Sequence, residues 1–219
     1  MAVRKLYGSL DSPDTLKVLA CLFEHDLDFE FVSIDLGAGE HNQKPFLSMS
    51  PFGQVPVFED GHIKQFESRA IIRSMAHGYG KKLGEELIYW DSRKQATVAN
   101  WIDVEDHHFE PPALKLVTEL STKPKNGLIT DEKAVAEAEE NLSKVLDVYE
   151  ARLEKLKYFA ADKYTVVDVL HLPTLESLMG IAQSKRLIES RPRVSAWCSE
   201  ILARPAWVKV LEMIKMQVV

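Results

Sequence analysis

The chain has 219 residues, 46% hydrophobic and 27% charged, with a formal net charge of −6. That is enough sequence for one large or two small packed cores; the negative balance argues against nucleic acid or an anionic membrane surface as main partner, and no run of 18 apolar residues is present to span a bilayer. The start, Met1 to Tyr7, lacks the apolar core of a signal peptide, and the two cysteines, Cys21 and Cys198, offer neither a disulfide framework nor metal-ligand spacing, so a reducing compartment, most simply the cytosol, fits.

Lys5-Leu6-Tyr7-Gly8 predicts a short strand ending in glycine. Ser12-Pro13-Asp14-Thr15 then reads as a helix start: a serine that can cap, a proline at the first helical position, and an acid that complements the helix dipole. Leu16, Val18, Leu19, Ala20, Leu22 and Phe23 form that helix's apolar face, and residues 29–34 alternate toward a second strand. Strand, helix and strand within about thirty residues make a βαβ unit with parallel strands. The polar run from Gly39 to Lys44 is placed in a loop with a short helix. Pro51-Phe52-Gly53-Gln54-Val55-Pro56 leads into a strand, an Asp60-Gly61 turn and a second strand, a hairpin signature. Glu67 and Ser68 then open an apolar-periodic helix. The first eighty residues thus read β-α-β-α-β-β-α, an α/β module with a mixed four-stranded sheet.

A glycine-punctuated linker is expected over 81–88. Beyond it only helical patterns follow, so residues 89–219 are expected to form an all-α domain. A long helix from Tyr89 to Leu120 should bend at Pro111-Pro112. Residues 131–157 carry the clearest amphipathic stripe, with Val135, Ala138, Leu142, Val145, Leu146, Tyr149, Leu153 and Leu156 on one side. Thr165-Val166-Val167-Asp168 has the form of a capping box ahead of a buried helix to Met179. Helices over 193–203 and 206–216 are separated by Arg204-Pro205.

Two runs together, Pro51-Phe52-Gly53-Gln54-Val55-Pro56 and Phe66-Glu67-Ser68-Arg69-Ala70-Ile71, resemble the glutathione-site signature of cytosolic glutathione transferases. The spacing through Tyr7-Gly8 and Ser12, the Gly39-Glu40-His41 run, and the stretch from Trp101 to Pro112 are most similar to the plant phi class. The resemblance covers essentially the whole chain. It implies a thioredoxin-like N-terminal domain of residues 1–80, an all-helical C-terminal domain of residues 89–219 carrying a hydrophobic-substrate pocket, and a homodimer; a small α/β domain joined to a helical one is also an arrangement in which sites often form at the domain interface. It implies no metal and no cofactor, with glutathione as cosubstrate.

By the same resemblance, Ser12 is the catalytic hydroxyl that stabilises the glutathione thiolate, with Ser9 and Thr15 as lesser alternatives and Pro13 as a departure from the small or polar residue usual after the serine. Val55-Pro56 supplies a cis turn that pairs with the cysteinyl backbone, and Gln54 bonds the tripeptide. Glu67 meets the γ-glutamyl amine and Ser68 its carboxylate. His41 and Asn42 face the glycyl carboxylate. Asn42 stands where a lysine is usual, with Lys44 as a nearby substitute. Leu10, Leu36, Phe109, Leu114, Val117 and Met179 are the expected apolar wall for a second substrate. His107 and His108, adjacent on a helix, point about 100° apart and suit a structural or pocket role better than a metal.

The implied activity is conjugation of glutathione to apolar electrophiles, with reduction of organic hydroperoxides alongside. A serine rather than a cysteine at position 12 argues against thiol exchange. Two other functions share the fold: a carrier of flavonoid-like or hormone-like ligands, and a structural module of a larger assembly. The intact Gln54-Val55-Pro56 and Glu67-Ser68 argue against the last.

Overall fold

The computed structural model describes residues 4–79 and 86–217, so most of the linker expected over 81–88 lies outside the described residues. The chain divides into two compact units, residues 1–87 with 205–219, and residues 88–204.

In the first unit, β1 (Lys5–Gly8), β2 (Glu30–Ser33), β3 (Val57–Asp60) and β4 (Ile63–Phe66) form a sheet in the order β2-β1-β3-β4. β1 runs parallel to β2 and antiparallel to β3, which pairs with β4 across the Asp60-Gly61 turn. This is the mixed sheet that the pattern predicts, in a thioredoxin-like arrangement. Gly8 ends β1 because α1 (Pro13–Glu24) returns tightly over it: a Cβ there would meet Thr15 Cγ2 at 2.5 Å. α1 buries Val18, Leu19, Cys21 and Leu22, and packs against Ile71, Ile72 and Met75 of α3 (Ser68–Gly78). A short α2 (Lys44–Leu47) precedes the β3 turn. The last helix, α11 (Pro205–Gln217), buries Ala206, Trp207 and Val210 and also packs on α1, so it lies with the first unit rather than with the helical stretch preceding it in sequence.

Among the described residues of the second unit the regular elements are all helices: α4 (Ser92–Val104), α5 (Glu110–Val117), α6 (Lys123–Lys125), α7 (Glu132–Leu153), α8 (Val166–Met179), α9 (Ala182–Glu189) and α10 (Pro192–Leu202). Two π-turns, Glu105–Phe109 and Thr118–Thr122, interrupt the run from α4 to α6. Each comes just before proline, at Pro111-Pro112 and at Pro124. A proline lacks the N–H for the helical ladder and its ring crowds the carbonyl four residues back; the wider π-turn makes room for both. The expected bend is therefore an opened helical turn. α9 carries too little apolar signal to be predicted: only Ser184 and Ile188 are buried.

Aromatic rings fill this unit's core. Phe109 stacks on Tyr149, and Phe159 stacks on His171, with Trp101 and Trp197 edge-on or tilted around them. The His171 Nδ1 lies 2.8 Å from the Val167 carbonyl and must donate to it, so Nε2 accepts from the Tyr149 hydroxyl at 3.0 Å. The capping box is present: Asp168 accepts from the Thr165 backbone N–H, and also from Trp197 Nε1, each at 2.9 Å.

Candidate active site

Ser12 is the N-cap of α1, with extended backbone, and its Oγ accepts the Thr15 N–H at 3.4 Å. Capping uses a lone pair and leaves the hydroxyl hydrogen to be donated elsewhere, so a cap and a catalytic donor are compatible roles for one serine. Pro13 fits as the first helical residue. The two alternative hydroxyls are buried and built into the loop: Ser9 Oγ accepts from the Asp11 N–H, and Thr15 Oγ1 accepts from the Ser9 N–H. Ser12 is half-buried at the same turn. Tyr7, the other hydroxyl nearby in sequence, donates to Glu59 across the strand pair at 3.0 Å.

The opposite wall comes from the β3 approach. Buried Ser50 clasps Gln54 through both backbone groups, accepting from its N–H at 3.2 Å and donating to its carbonyl at 2.9 Å. The Gln54 side chain is left exposed. Gly53 sits at φ 62°, and a Cβ there would meet the Asn42 Oδ1 and the His41 carbonyl at 3.0 Å. The turn of Glu40–Asn42 is thereby held against the Gln54 approach. Val55-Pro56 is the cis peptide bond that the resemblance implies.

Glu67 adopts φ 70°, ψ 108°, a region that a residue with a side chain rarely occupies. Such outliers persist where the surroundings fix them, and they concentrate at binding sites. Here the strain sits directly before Ser68, the first residue of α3, whose first-turn N–H groups have no partner within the helix. The Ser68 hydroxyl donates to Asp14 Oδ1 at 2.7 Å across 54 residues of sequence. This bond joins the start of α1 to the start of α3. Ser12, Asp14, Glu67 and Ser68 thus converge, and the Ser68 hydroxyl hydrogen, expected to face a ligand carboxylate, is committed to Asp14. The backbone N–H of Ser68 remains as the anion donor. Asp14 was legible only as a helix-dipole acid; its pairing with a residue on a distant helix leaves no pattern in the chain.

His41 and Asn42 bond to each other, the ring Nε2 lying 2.9 Å from the Asn42 amide. With Nε2 accepting, His41 carries its hydrogen on Nδ1. Lys44, at the start of α2, is exposed. Both thiols are inert by burial, which pushes Cys21 up strongly and Cys198 to about 12. Of the expected apolar wall, Leu10 is buried and Leu36 half-buried in the first unit. In the second, Leu114, Val117 and Met179 are half-buried, while Phe109 is fully buried in the aromatic core with no surface to offer.

The family model described as the glutathione S-transferase N-terminal domain matches residues 2–76, and the one for the C-terminal domain matches residues 109–205. The chain is 52% identical over 208 residues to glutathione S-transferase PARB of Nicotiana tabacum, covering 95% of this chain and 97% of that one. The crystal structure of glutathione transferase F7 from Populus trichocarpa superposes with a TM-score of 0.90 at 40% identity, covering 96% and 98% of the two chains. A glutathione S-transferase I from mais, solved with an atrazine glutathione conjugate, gives a TM-score of 0.90 at 34% identity, over 98% and 99%.

Proposed function

Since the chain belongs to the glutathione S-transferase family and to its plant phi class, we propose that it binds glutathione in the first unit and conjugates it through its sulfur to apolar electrophiles, with organic hydroperoxides as further substrates. The observation that carries this reading is the Ser68–Asp14 hydrogen bond, which brings the Ser12 cap and the strained Glu67-Ser68 turn to one place.

Glutathione lies between these elements. Its γ-glutamyl carboxylate takes the Ser68 N–H at the start of α3, and its amine faces Glu67. The Val55 backbone pairs with the cysteinyl residue in the manner of an added strand, and Gln54 bonds the same stretch. His41, Asn42 and Lys44 face the glycyl carboxylate. The sulfur meets the Ser12 hydroxyl at the N-terminus of α1, where a donated hydrogen bond and the helix dipole both favour the thiolate. The thiol proton leaves to solvent, the thiolate attacks the electrophilic carbon, an S–C bond forms, and with an aryl halide the halide departs. Leu36 in the first unit, and Leu114, Val117 and Met179 in the second, each keep some exposed apolar surface. The protein works without metal or prosthetic group, as a homodimer in the cytosol; Phe52, 73% exposed in the turn before β3, is a surface that self-association would cover. No helix among the described residues is long and apolar enough to cross a membrane.

The test is conjugation of a generic aryl halide and reduction of an organic hydroperoxide by the wild type and by Ser12→Ala. Wild-type turnover that falls about tenfold for each unit by which the thiol pKa rises in the variant supports the reading. No wild-type turnover, with tight binding of aromatic ligands, would replace it with the carrier.

A further inference from the structure

We propose that Asp14 is a specificity residue for the γ-glutamyl end of glutathione, reading the α-ammonium together with Glu67; this rests on the proposed glutathione site and deepens it. Three observations lead there. First, Asp14 keeps acceptor capacity beyond its structural contacts with buried Lys17 and Ser68. Both of its hydrogen bonds, from Ser68 Oγ at 2.7 Å and from Lys17 Nζ at 3.4 Å, fall on Oδ1. Oδ2 has no hydrogen-bond partner among the described residues, and the side chain is 48% exposed. Secondly, the residue it grips is Ser68, itself buried, at the first position of α3. Asp14 therefore stands beside the backbone N–H proposed to take the α-carboxylate. Thirdly, Glu67, on the other side of that N–H in sequence, is exposed and held at positive φ.

An α-amino acid head carries one carboxylate and one ammonium on the same carbon. A helix-start N–H with an acid on either side of it, Asp14 through the Ser68 hydroxyl and Glu67 in sequence, matches that pair of charges in kind. The N–H takes the anion, and the carboxylates of Asp14 and Glu67 take the cation through charge-assisted hydrogen bonds. The same arrangement penalises a tripeptide whose amine is missing, because Asp14 is then left facing a carboxylate with no cation between them.

The variant Asp14→Asn separates this role from a purely structural one. An asparagine carbonyl still accepts the Ser68 hydroxyl, so the turn is kept while the charge is removed. Binding of glutathione and of glutaryl-cysteinyl-glycine, the same tripeptide without its α-amino group, is measured by calorimetry for wild type and variant. The expected result is a loss of about tenfold or more in glutathione affinity, the size of one charge-assisted hydrogen bond, with the desamino ligand bound equally or more tightly by the variant. Equal losses for both ligands would assign Asp14 a structural role only, and unchanged glutathione affinity would remove it from the site; either overturns the inference while leaving the glutathione reading intact. Wild type that binds neither ligand would overturn both. Retained binding of the desamino ligand also reports that the variant is folded.

Discussion

Ser12 shows how one hydroxyl serves two purposes. Its lone pair closes the first turn of α1 and its hydrogen is left for a sulfur. That arrangement depends on Gly8, the residue over which α1 folds back. Gly8→Ala places a methyl 2.5 Å from Thr15, whose Oγ1 accepts the Ser9 N–H. Relief requires the loop to move, at a cost of about 1–3 kcal/mol. The expected outcome is a lowered midpoint in urea together with a fall in conjugation rate, since Ser12 shifts with the loop. Asn42 gives a prediction of opposite sign. It is exposed and bonded to His41, at a position where the resemblance leads one to expect a lysine. Asn42→Lys adds a cation facing the glycyl carboxylate, and an exposed pair of this kind is worth about 0.2–1 kcal/mol. Glutathione affinity should rise by up to about fivefold. A titration showing no gain would place the glycyl carboxylate elsewhere. Ser12, Gln54, Val55, Glu67 and Ser68 could be proposed from the sequence because they sit in short contiguous motifs. Asp14 could not, because its partner lies 54 residues away and on another helix.

Among the elements, those that announce themselves do so through local rules. The Asp-Gly hairpin, the proline at the start of α1 and the capping box of α8 are each read within four residues. The π-turns and α9 are not, because they answer to packing: a ladder opened ahead of prolines, and a helix with two buried residues. The connection from α5 to α7 was equally silent, and one buried acid organises it. Glu119 accepts from Lys123 at 2.6 Å and from the Asp131 backbone at 2.9 Å and is ion-paired with Lys115 at 3.0 Å, while its own carbonyl takes the Thr130 hydroxyl. The Asp131 N–H and the Lys123 ammonium foremost hold its carboxyl down at about 2, below the ordinary 4.5. A group whose folded pKa is depressed contributes stability that is complete above its unfolded pKa and lost as pH falls toward the folded one. Glu119 therefore stabilises the fold above about pH 4.5 and ceases to do so between there and about pH 2. Asp168 works in the other direction. Burial outweighs its donors and raises it to about 6, so its share of stability declines as pH climbs from about 4 to about 6. Glu119→Gln should flatten the acid limb below pH 4.5 in a series of thermal melts and leave the Asp168 limb in place. An unchanged acid limb would mean that the connection is held by its backbone alone.

At the scale of the whole molecule, the two units differ in how much they owe to nonlocal contacts. The first is a sheet whose β1–β3 pairing spans some fifty residues and whose last helix comes from the far end of the chain. The second is built from neighbouring helices around one aromatic cluster. That α11 completes the first unit was beyond reach of a reading by texture, since nothing in an amphipathic helix names the surface it covers. The same limit applies to surfaces that meet another chain. Phe52 is a large aromatic at 73% exposure on a turn otherwise fixed by Gly53 and Ser50. A rigid aromatic on an exposed turn is well suited to anchor an interface, because burying it costs little side-chain entropy. In a homodimer with twofold symmetry each such residue counts twice. Burying a phenylalanine contributes about 1.5–3 kcal/mol, so removing both weakens association by about 3–6 kcal/mol, or roughly a hundredfold at least. Wild type in sedimentation equilibrium at micromolar concentration should therefore show a species of twice the 24.8 kDa chain mass, and Phe52→Ala should shift it toward the single-chain mass. Dimers of undiminished strength in the variant would move the interface away from this turn, and a wild type found only at 24.8 kDa would sink the homodimer itself.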